Sequence, residues 1–307
     1  MKSPFAQSEL VQPATRRSRN YRIFSEKLSW GALPDGFNRV VDERGHRLVV
    51  RQDQVTHIDF SLCDNDRAGA LADSRYHGRG VLRSIVLPDG DTALIRAYRH
   101  GGLFRTIATT WFFTWPPRPF RELAVTEELR RRGLRTVEVC AACVSRPAGP
   151  FYRGWLITKQ LPGAEDLWSA FHSGLIERIG LTAALRAVAS GIRAMHREGV
   201  YHADLNLKNI LLRIENGAAA SYIIDYDKAR LFLGRLPIAL ANRNLARLKR
   251  SVLKLDPEQR YFSAAAWCAL VKFYHVGPAR LRGRGGDPET RRPATGFLKW
   301  HLKSSIS

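Results

Sequence analysis

The run Tyr201-His202-Ala203-Asp204-Leu205-Asn206-Leu207-Lys208-Asn209 leads into Ile210-Leu211-Leu212-Arg213-Ile214, then Glu215-Asn216-Gly217, then Ser221-Tyr222-Ile223-Ile224-Asp225-Tyr226-Asp227. Asn-Gly between two apolar runs is the strongest short-range signal for a β-hairpin. Residues equidistant from such a turn face one another, so a turn centred on Gly217 puts Asn209 opposite Asp225 at the open end, next to Asp204. One amide and two carboxylates converging there make an all-oxygen site for a hard divalent cation. Mg²⁺ characteristically takes one or two carboxylates together with substrate phosphates. The remaining carboxylate can orient or deprotonate an attacking hydroxyl. Such a set suits phosphoryl transfer, in which positioning and charge neutralisation carry most of the catalysis.

Upstream, Leu181, Leu185, Val188, Ile192 and Met195 fall in steps of four and three residues and draw one apolar stripe down a helix that Gly199 ends. Further back, Val81–Leu87 and Thr92–Ile95 flank Pro88-Asp89-Gly90-Asp91, which predicts a hairpin. Pro119 suits a first helical turn, so Phe120–Arg132 reads as a helix stopped by Gly133. Val137–Val144 and Trp155–Gln160 read as strands. A strand-rich half with one helix precedes a mainly helical half, with the chemistry near the join. That predicts an α+β fold of two lobes with a cleft between them.

His202-x-Asp204-Leu205-x-x-x-Asn209 resembles the catalytic loop of protein kinase-like enzymes, with a strand-rich N-lobe and a helical C-lobe. Four segments resemble more narrowly the lipopolysaccharide kinase family, most of all its 3-deoxy-D-manno-octulosonic acid (Kdo) kinases. They are Gly78-Arg79-Gly80, Leu94–Leu103, His202–Leu212, and Ile223–Lys228 followed by Asn244–Ser251. The resemblance implies Asp204 as catalytic base and Asn209 and Asp225 as Mg²⁺ ligands, with His202 a catalytic-loop residue of scaffolding character. Asp225-Tyr226-Asp227 stands where protein kinases have Asp-Phe-Gly, which puts their activation switching in doubt but not metal binding. Ala93-Leu94-Ile95-Arg96 stands where they have Val-Ala-Ile-Lys, so Arg96 is expected to join the ATP phosphates to Glu122, with a bulkier, forked cation. Gly78, Arg79 and Gly80 would form a reduced phosphate-covering loop, and Arg99 is a candidate acceptor contact.

The implied organisation is an N-terminal extension over 1–65, an N-lobe over 66–160, a C-lobe over 161–276 and a basic tail over 277–307. The implied activity is ATP-dependent, Mg²⁺-assisted phosphorylation of a Kdo hydroxyl on a Kdo-containing lipid A precursor. The place would be the cytoplasmic face of a bacterial inner membrane, with the enzyme peripheral to its anionic surface. A heptose kinase of the lipopolysaccharide core and a catalytically silent kinase-like scaffold are the alternatives.

Composition agrees. Of 307 residues 45% are hydrophobic, enough for a sizeable core, and 49 Lys and Arg against 28 Asp and Glu leave a net charge of +21. Such a field favours polyanionic partners. Arg is spread over the whole chain rather than clustered with stacking aromatics, so no specific nucleic-acid partner is expected. Four cysteines are too few for a disulfide scaffold. Cys140-x-x-Cys143 has half-site spacing without a second pair, and in a strand-like run it reads as structural. Neither a signal peptide nor a spanning helix is expected. The best apolar window, Ile107–Trp115, is about half the length a span requires.

Overall fold

The computed structural model describes residue 31 and residues 33–64, 83–98, 111–145 and 151–276. Gly78, Arg79, Gly80, Arg99 and the 277–307 tail lie outside these residues. All the elements below belong to one compact unit, Met1–Gly277.

The first lobe is built on a six-stranded antiparallel sheet in the order β1-β2-β5-β6-β4-β3. Its strands are β1 (Phe37–Val41), β2 (Arg47–Arg51), β3 (Arg83–Val86), β4 (Thr92–Ala97), β5 (Val139–Ser145) and β6 (Arg153–Lys159). A short helix α1 (Ser61–Asp64) follows β2, and α2 (Arg118–Arg131) lies between β4 and β5. The Pro-Asp-Gly-Asp turn joins β3 to β4 as predicted. Gly133, at φ +80°, lies just beyond the end of α2.

Two strands lie where the sequence suggested an extension over 1–65. β1 and β2 are part of the lobe's sheet, with Leu48, Val49 and Val50 at most 2% exposed. Their signal is faint because β2 is short, is buried on both faces and so does not alternate, and is bounded by Arg47 and Arg51. β5 is likewise buried throughout. Cys140, Ala141 and Cys143 face one apolar layer with Ile95 and Trp155, while Val139, Ala142 and Val144 face Phe120 and Leu123 of α2. Cys140 and Cys143 are both fully buried in the sheet, and burial pushes the Cys140 thiol up to about 12, so the pair serves as packing material.

The chain crosses to the second lobe after β6. There follow β7 (Glu165–Asp166), α3 (Leu167–Ala170), α4 (Leu175–Ile179), α5 (Leu181–Arg197), β8 (Val200–Tyr201), β9 (Ile210–Glu215), β10 (Ala218–Ile223), β11 (Arg230–Leu231), α6 (Ile238–Leu255) and α7 (Ala264–Val276). α5 is the axis of this lobe. Leu185, Val188, Ile192 and Met195 are at most 3% exposed, as the stripe predicted, while Leu181 in the first turn stays 39% exposed. Truncating a side chain such as Ile192 to Ala would cost about 2–5 kcal/mol. α7 and the β9–β10 hairpin pack on α5, and Gly191 lets the hairpin approach: a Cβ there would stand 2.6 Å from Ser221 Oγ.

Asn216 and Gly217 both take positive φ, 48° and 76°, which makes a two-residue turn whose twist matches the strands. The turn is therefore centred between them, Glu215 faces Ala218, and Ile210 faces Ile223. This corrects the Gly217-centred register by one residue. Asn209 O accepts from Ile224 N–H at 3.0 Å, and Asp225 lies two residues beyond the end of β10 rather than opposite Asn209.

Candidate active site

The loop between β8 and β9 is tied down through its backbone. Asp204 N–H donates to His202 Nδ1 at 3.2 Å, and Asp204 O accepts from Asn206 Nδ2 at 2.9 Å and Asn209 Nδ2 at 2.8 Å. Asn206 also accepts from Lys208 N–H, capping the single turn Leu207–Asn209. The main chain at Asp204 is thus held from both sides while its carboxylate stays 43% exposed.

His202 is 1% exposed, and burial holds its imidazole below the usual range, so it is neutral. With Nδ1 accepting, Nε2–H donates to Ile224 O at 2.9 Å, which fixes the chain just before Asp225. Both ring nitrogens are committed to backbone. His202 is therefore a positioning residue that ties two loops together.

Asp225 has φ +67°, a left-handed conformation that Asp tolerates better than most residues. It accepts from Arg96 Nη1 at 2.9 Å, while Arg96 Nη2 lies 2.6 and 2.7 Å from the two oxygens of Glu122. One guanidinium on β4 therefore joins α2 of the first lobe to the loop that follows β10, which uses Arg96 as a fork rather than a point charge. Glu122 is 2% exposed and also accepts from the Tyr98 hydroxyl. Burial pushes its carboxyl up, to about 7, against the pull of Arg96. Burial also acts to raise Asp225, but the Arg96 guanidinium outweighs it and holds that carboxyl below its ordinary value.

Two further features carry no simple sequence signal. Asp227, 6% exposed, takes both Arg118 Nε, at 3.0 Å, and Arg118 Nη2, and its carbonyl accepts from Arg121 Nη2 at 2.9 Å. The residue standing in for the usual glycine of the triplet thus fastens that loop to the first turn of α2. On the other side, Asn244 of α6 is fully buried. It donates to His202 O at 2.5 Å and accepts from His202 N–H at 3.2 Å and from His196 Nε2 at 3.1 Å. Three and seven residues further on, Arg247 Nη1 lies 3.6 Å from Asp204 Oδ1, and Ser251 Oγ accepts from Leu207 N–H at 3.2 Å. Polar Asn244 and Ser251 bordering the apolar stripe Ala241, Leu245, Leu248 and Val252 are the signal that could have revealed this face.

The profile of the lipopolysaccharide kinase (Kdo/WaaP) family matches residues 66–274, which spans both lobes. The chain belongs to that family. Three 3-deoxy-D-manno-octulosonic acid kinases are similar to it. The Vibrio vulnificus (strain CMCP6) protein is 35% identical over 58% of this chain and 71% of its own length. That of Vibrio cholerae serotype O1 is 33% identical over 66% and 83%. That of Pasteurella multocida is 31% identical over 65% and 82%. A solved WaaP chain in complex with acyl carrier protein aligns over 66% of this chain and 78% of its own at 19% identity, with a TM-score of 0.43.

For a member of the Kdo/WaaP family, the residues expected in the site divide into three groups. Arg96, Glu122 and Asp225 meet directly, and Asp204 and Asn209 share one clamped loop. Gly78, Arg79, Gly80 and Arg99 lie outside the described residues. Among the described residues no group of three or more His, Cys, Asp or Glu side chains could hold a metal ion. The pair expected to hold one is a carboxylate and an amide. With Asn209 Nδ2 spent on Asp204 O, the amide presents its oxygen, and the donor chemistry fits Mg²⁺ completed by phosphate oxygens and water.

Proposed function

We propose that this chain transfers the γ-phosphate of ATP to a hydroxyl of Kdo in the lipid A–inner core of lipopolysaccharide. The observation that carries the reading is the Arg96 fork, which holds Glu122 and Asp225 together beside the loop that presents Asp204. Kinase family membership and the Kdo kinases among the relatives support the nucleotide and the sugar.

In this reading Asp204 accepts the proton of the attacking hydroxyl. The new oxygen–phosphorus bond forms as the bond from phosphorus to the β–γ bridging oxygen breaks, and ADP leaves. The clamped backbone gives the carboxylate a fixed origin, and its exposure leaves room for the acceptor. Arg96 faces the nucleotide phosphates from the N-lobe side, fixed by Glu122. Asn209 and Asp225 would hold Mg²⁺, which when bound neutralises phosphate charge and holds the phosphate oxygens in line.

A peripheral position on the cytoplasmic face of the inner membrane follows from the same reading. Each Lys or Arg close to an anionic surface contributes about 1 kcal/mol, and the chain carries a surplus of 21. Phe113 and Phe151, 62% and 49% exposed, pair on the first lobe. Among the described residues no helix is long and apolar enough to cross a membrane.

The test is mass spectrometry of a Kdo-bearing lipid A precursor after incubation with Mg-ATP, with Asp204→Ala as control. One added phosphate, located on Kdo by fragmentation and absent in the variant, is the expected result. Transfer to a heptosylated acceptor instead would make the chain a heptose kinase. ATP binding without transfer to either acceptor would make it a scaffold.

A further inference from the structure

We propose that Arg247 anchors the acceptor by its carboxylate, holding the sugar acid beside Asp204. This deepens the function proposed above and rests on it.

In the catalytic loop, Asn206 follows Asp204 by two residues. Its amide is turned back onto the loop, where Nδ2 donates to Asp204 O and Oδ1 accepts from Lys208 N–H, and being neutral it brings no charge to a substrate anion. A cation reaches Asp204 from a different element. Asn244 and Ser251 fasten α6 to the loop at His202 and Leu207, and between them the helix presents Arg247 to the Asp204 carboxylate. The 3.6 Å separation is well beyond the 2.7–2.9 Å or so of a formed charge-assisted bond. Arg247 is 40% exposed and carries five N–H donors in a fork shaped to a carboxylate. A guanidinium at that distance can face Asp204 with one edge and take an incoming anion with the other.

Exposed Arg243 and Arg250 sit one turn to either side of Arg247 on the same flank of α6, which adds two cations near the position. A ketosugar acid carries its carboxylate on the carbon that also bears the ring oxygen, a fixed few bonds from every ring hydroxyl. An anchor for that group next to the base therefore determines which hydroxyl meets Asp204. A neutral sugar would leave the outer edge of Arg247 without a partner, which gives the site a means of preferring the acid.

The full-length enzyme is assayed on two Kdo-terminated lipid A precursors, one with the free carboxylate and one with its methyl ester, as wild type, Arg247→Gln and Arg247→Lys. The wild type should lose tenfold or more in kcat/KM on the ester, with the loss in the acceptor KM. Arg247→Gln should lose a similar factor on the free acid and nothing further on the ester, and Arg247→Lys should fall between. Titration calorimetry of the methyl glycoside of Kdo into the ADP-bound enzyme should show the same ranking of affinities without turnover, and melting curves confirm that each variant is folded. A wild type that phosphorylates both acceptors equally well, or an Arg247→Gln enzyme that still discriminates between them, overturns the anchor but leaves the Kdo kinase reading standing. A loss confined to kcat would assign Arg247 to positioning Asp204 and overturn the anchor as well. No transfer by the wild type to either acceptor overturns both proposals.

Discussion

Arg96 and Arg247 each face an aspartate in this site, and they do so in opposite styles. Arg96 is locked between Glu122 and Asp225 at 2.6–2.9 Å, with Glu122 almost fully buried. Arg247 stands 3.6 Å from Asp204, and both side chains are about two-fifths exposed. Taking a carboxylate out of water costs several kcal/mol unless it is paired and hydrogen-bonded, so the first cluster holds together before any ligand arrives. An exposed pair at longer range contributes 1 kcal/mol or less and is screened by salt, so a ligand can displace it cheaply. The contrast suggests a preformed end for the nucleotide and an adjustable end for the acceptor.

The comparison breaks first at Asp204. Asp204→Asn should lower phosphate transfer by about 1,000-fold, within the range a positioned base supplies, while the melting temperature stays unchanged. A radiolabel transfer assay and a thermal melt decide it, and retained transfer would mean that the chemistry lies elsewhere.

Next comes the locked end. Arg96→Met leaves Glu122 buried with Tyr98 as its remaining side-chain partner, and should destabilise the fold by about 3 kcal/mol. That is the low end for breaking a buried pair, because Arg96 is itself 36% exposed. The corresponding fall in melting temperature is roughly 6 °C or more. Arg96→Lys, which keeps the charge but not the fork, should recover part of it. A melting temperature unmoved by Arg96→Met would show that the cluster is not holding the lobes' elements together.

The support beneath the adjustable end is neutral, and acid tests it. His196 is 3% exposed, bonded to Tyr274 and Asn244, and burial lowers its pKa from 6.5 to about 4. Its unfolded form takes up protons first on acidification, so the stability it contributes is complete above about pH 6.5 and is lost as the pH falls towards 4. The loss is about 3 kcal/mol. Denaturant titrations between pH 4.5 and 7.5 should show a steeper decline for the wild type than for His196→Gln, and equal slopes would contradict this.

The smallest effect belongs to the Arg247–Asp204 pair itself. Arg247→Ala should change stability by less than about 0.5 kcal/mol at low salt and by nothing measurable in 0.5 M NaCl. A larger, salt-resistant cost would make the pair a structural bond and erase the contrast with Arg96.

Local patterns announced most of this architecture. The Pro-Asp-Gly-Asp and Asn-Gly turns, the α5 stripe and the helix ended at Gly133 depend on a few neighbouring residues. His202, Asp204, Asn209 and Asp225 stood out because a loop and a hairpin keep them close in sequence. β1 and β2 did not, since a short strand buried on both faces has no alternation to read. The register of β9 and β10 was missed by one residue, because the turn was centred on Gly217 whereas Asn-Gly favours a two-residue turn centred between its residues.

The site's long-range partners were harder to find. Arg96, Glu122 and Asp225 come from three elements; the meeting of Arg96 with Glu122 was expected from resemblance rather than from spacing, and that of Arg96 with Asp225 was not expected. Arg118 with Asp227, and Asn244 and Arg247 with the catalytic loop, join residues that local patterns do not relate. By itself the sequence determined the strongly patterned elements and their order, the sign of the net charge and the residues able to take up protons or bind a cation, because these follow from local periodicity and side-chain chemistry. Only the tertiary structure decided which arginine is clamped at 2.6–2.9 Å between two carboxylates, one of them almost fully buried, and which stands 3.6 Å from a single exposed one. That difference depends on the water each pair loses when separate elements pack together, and no stretch of sequence contains it.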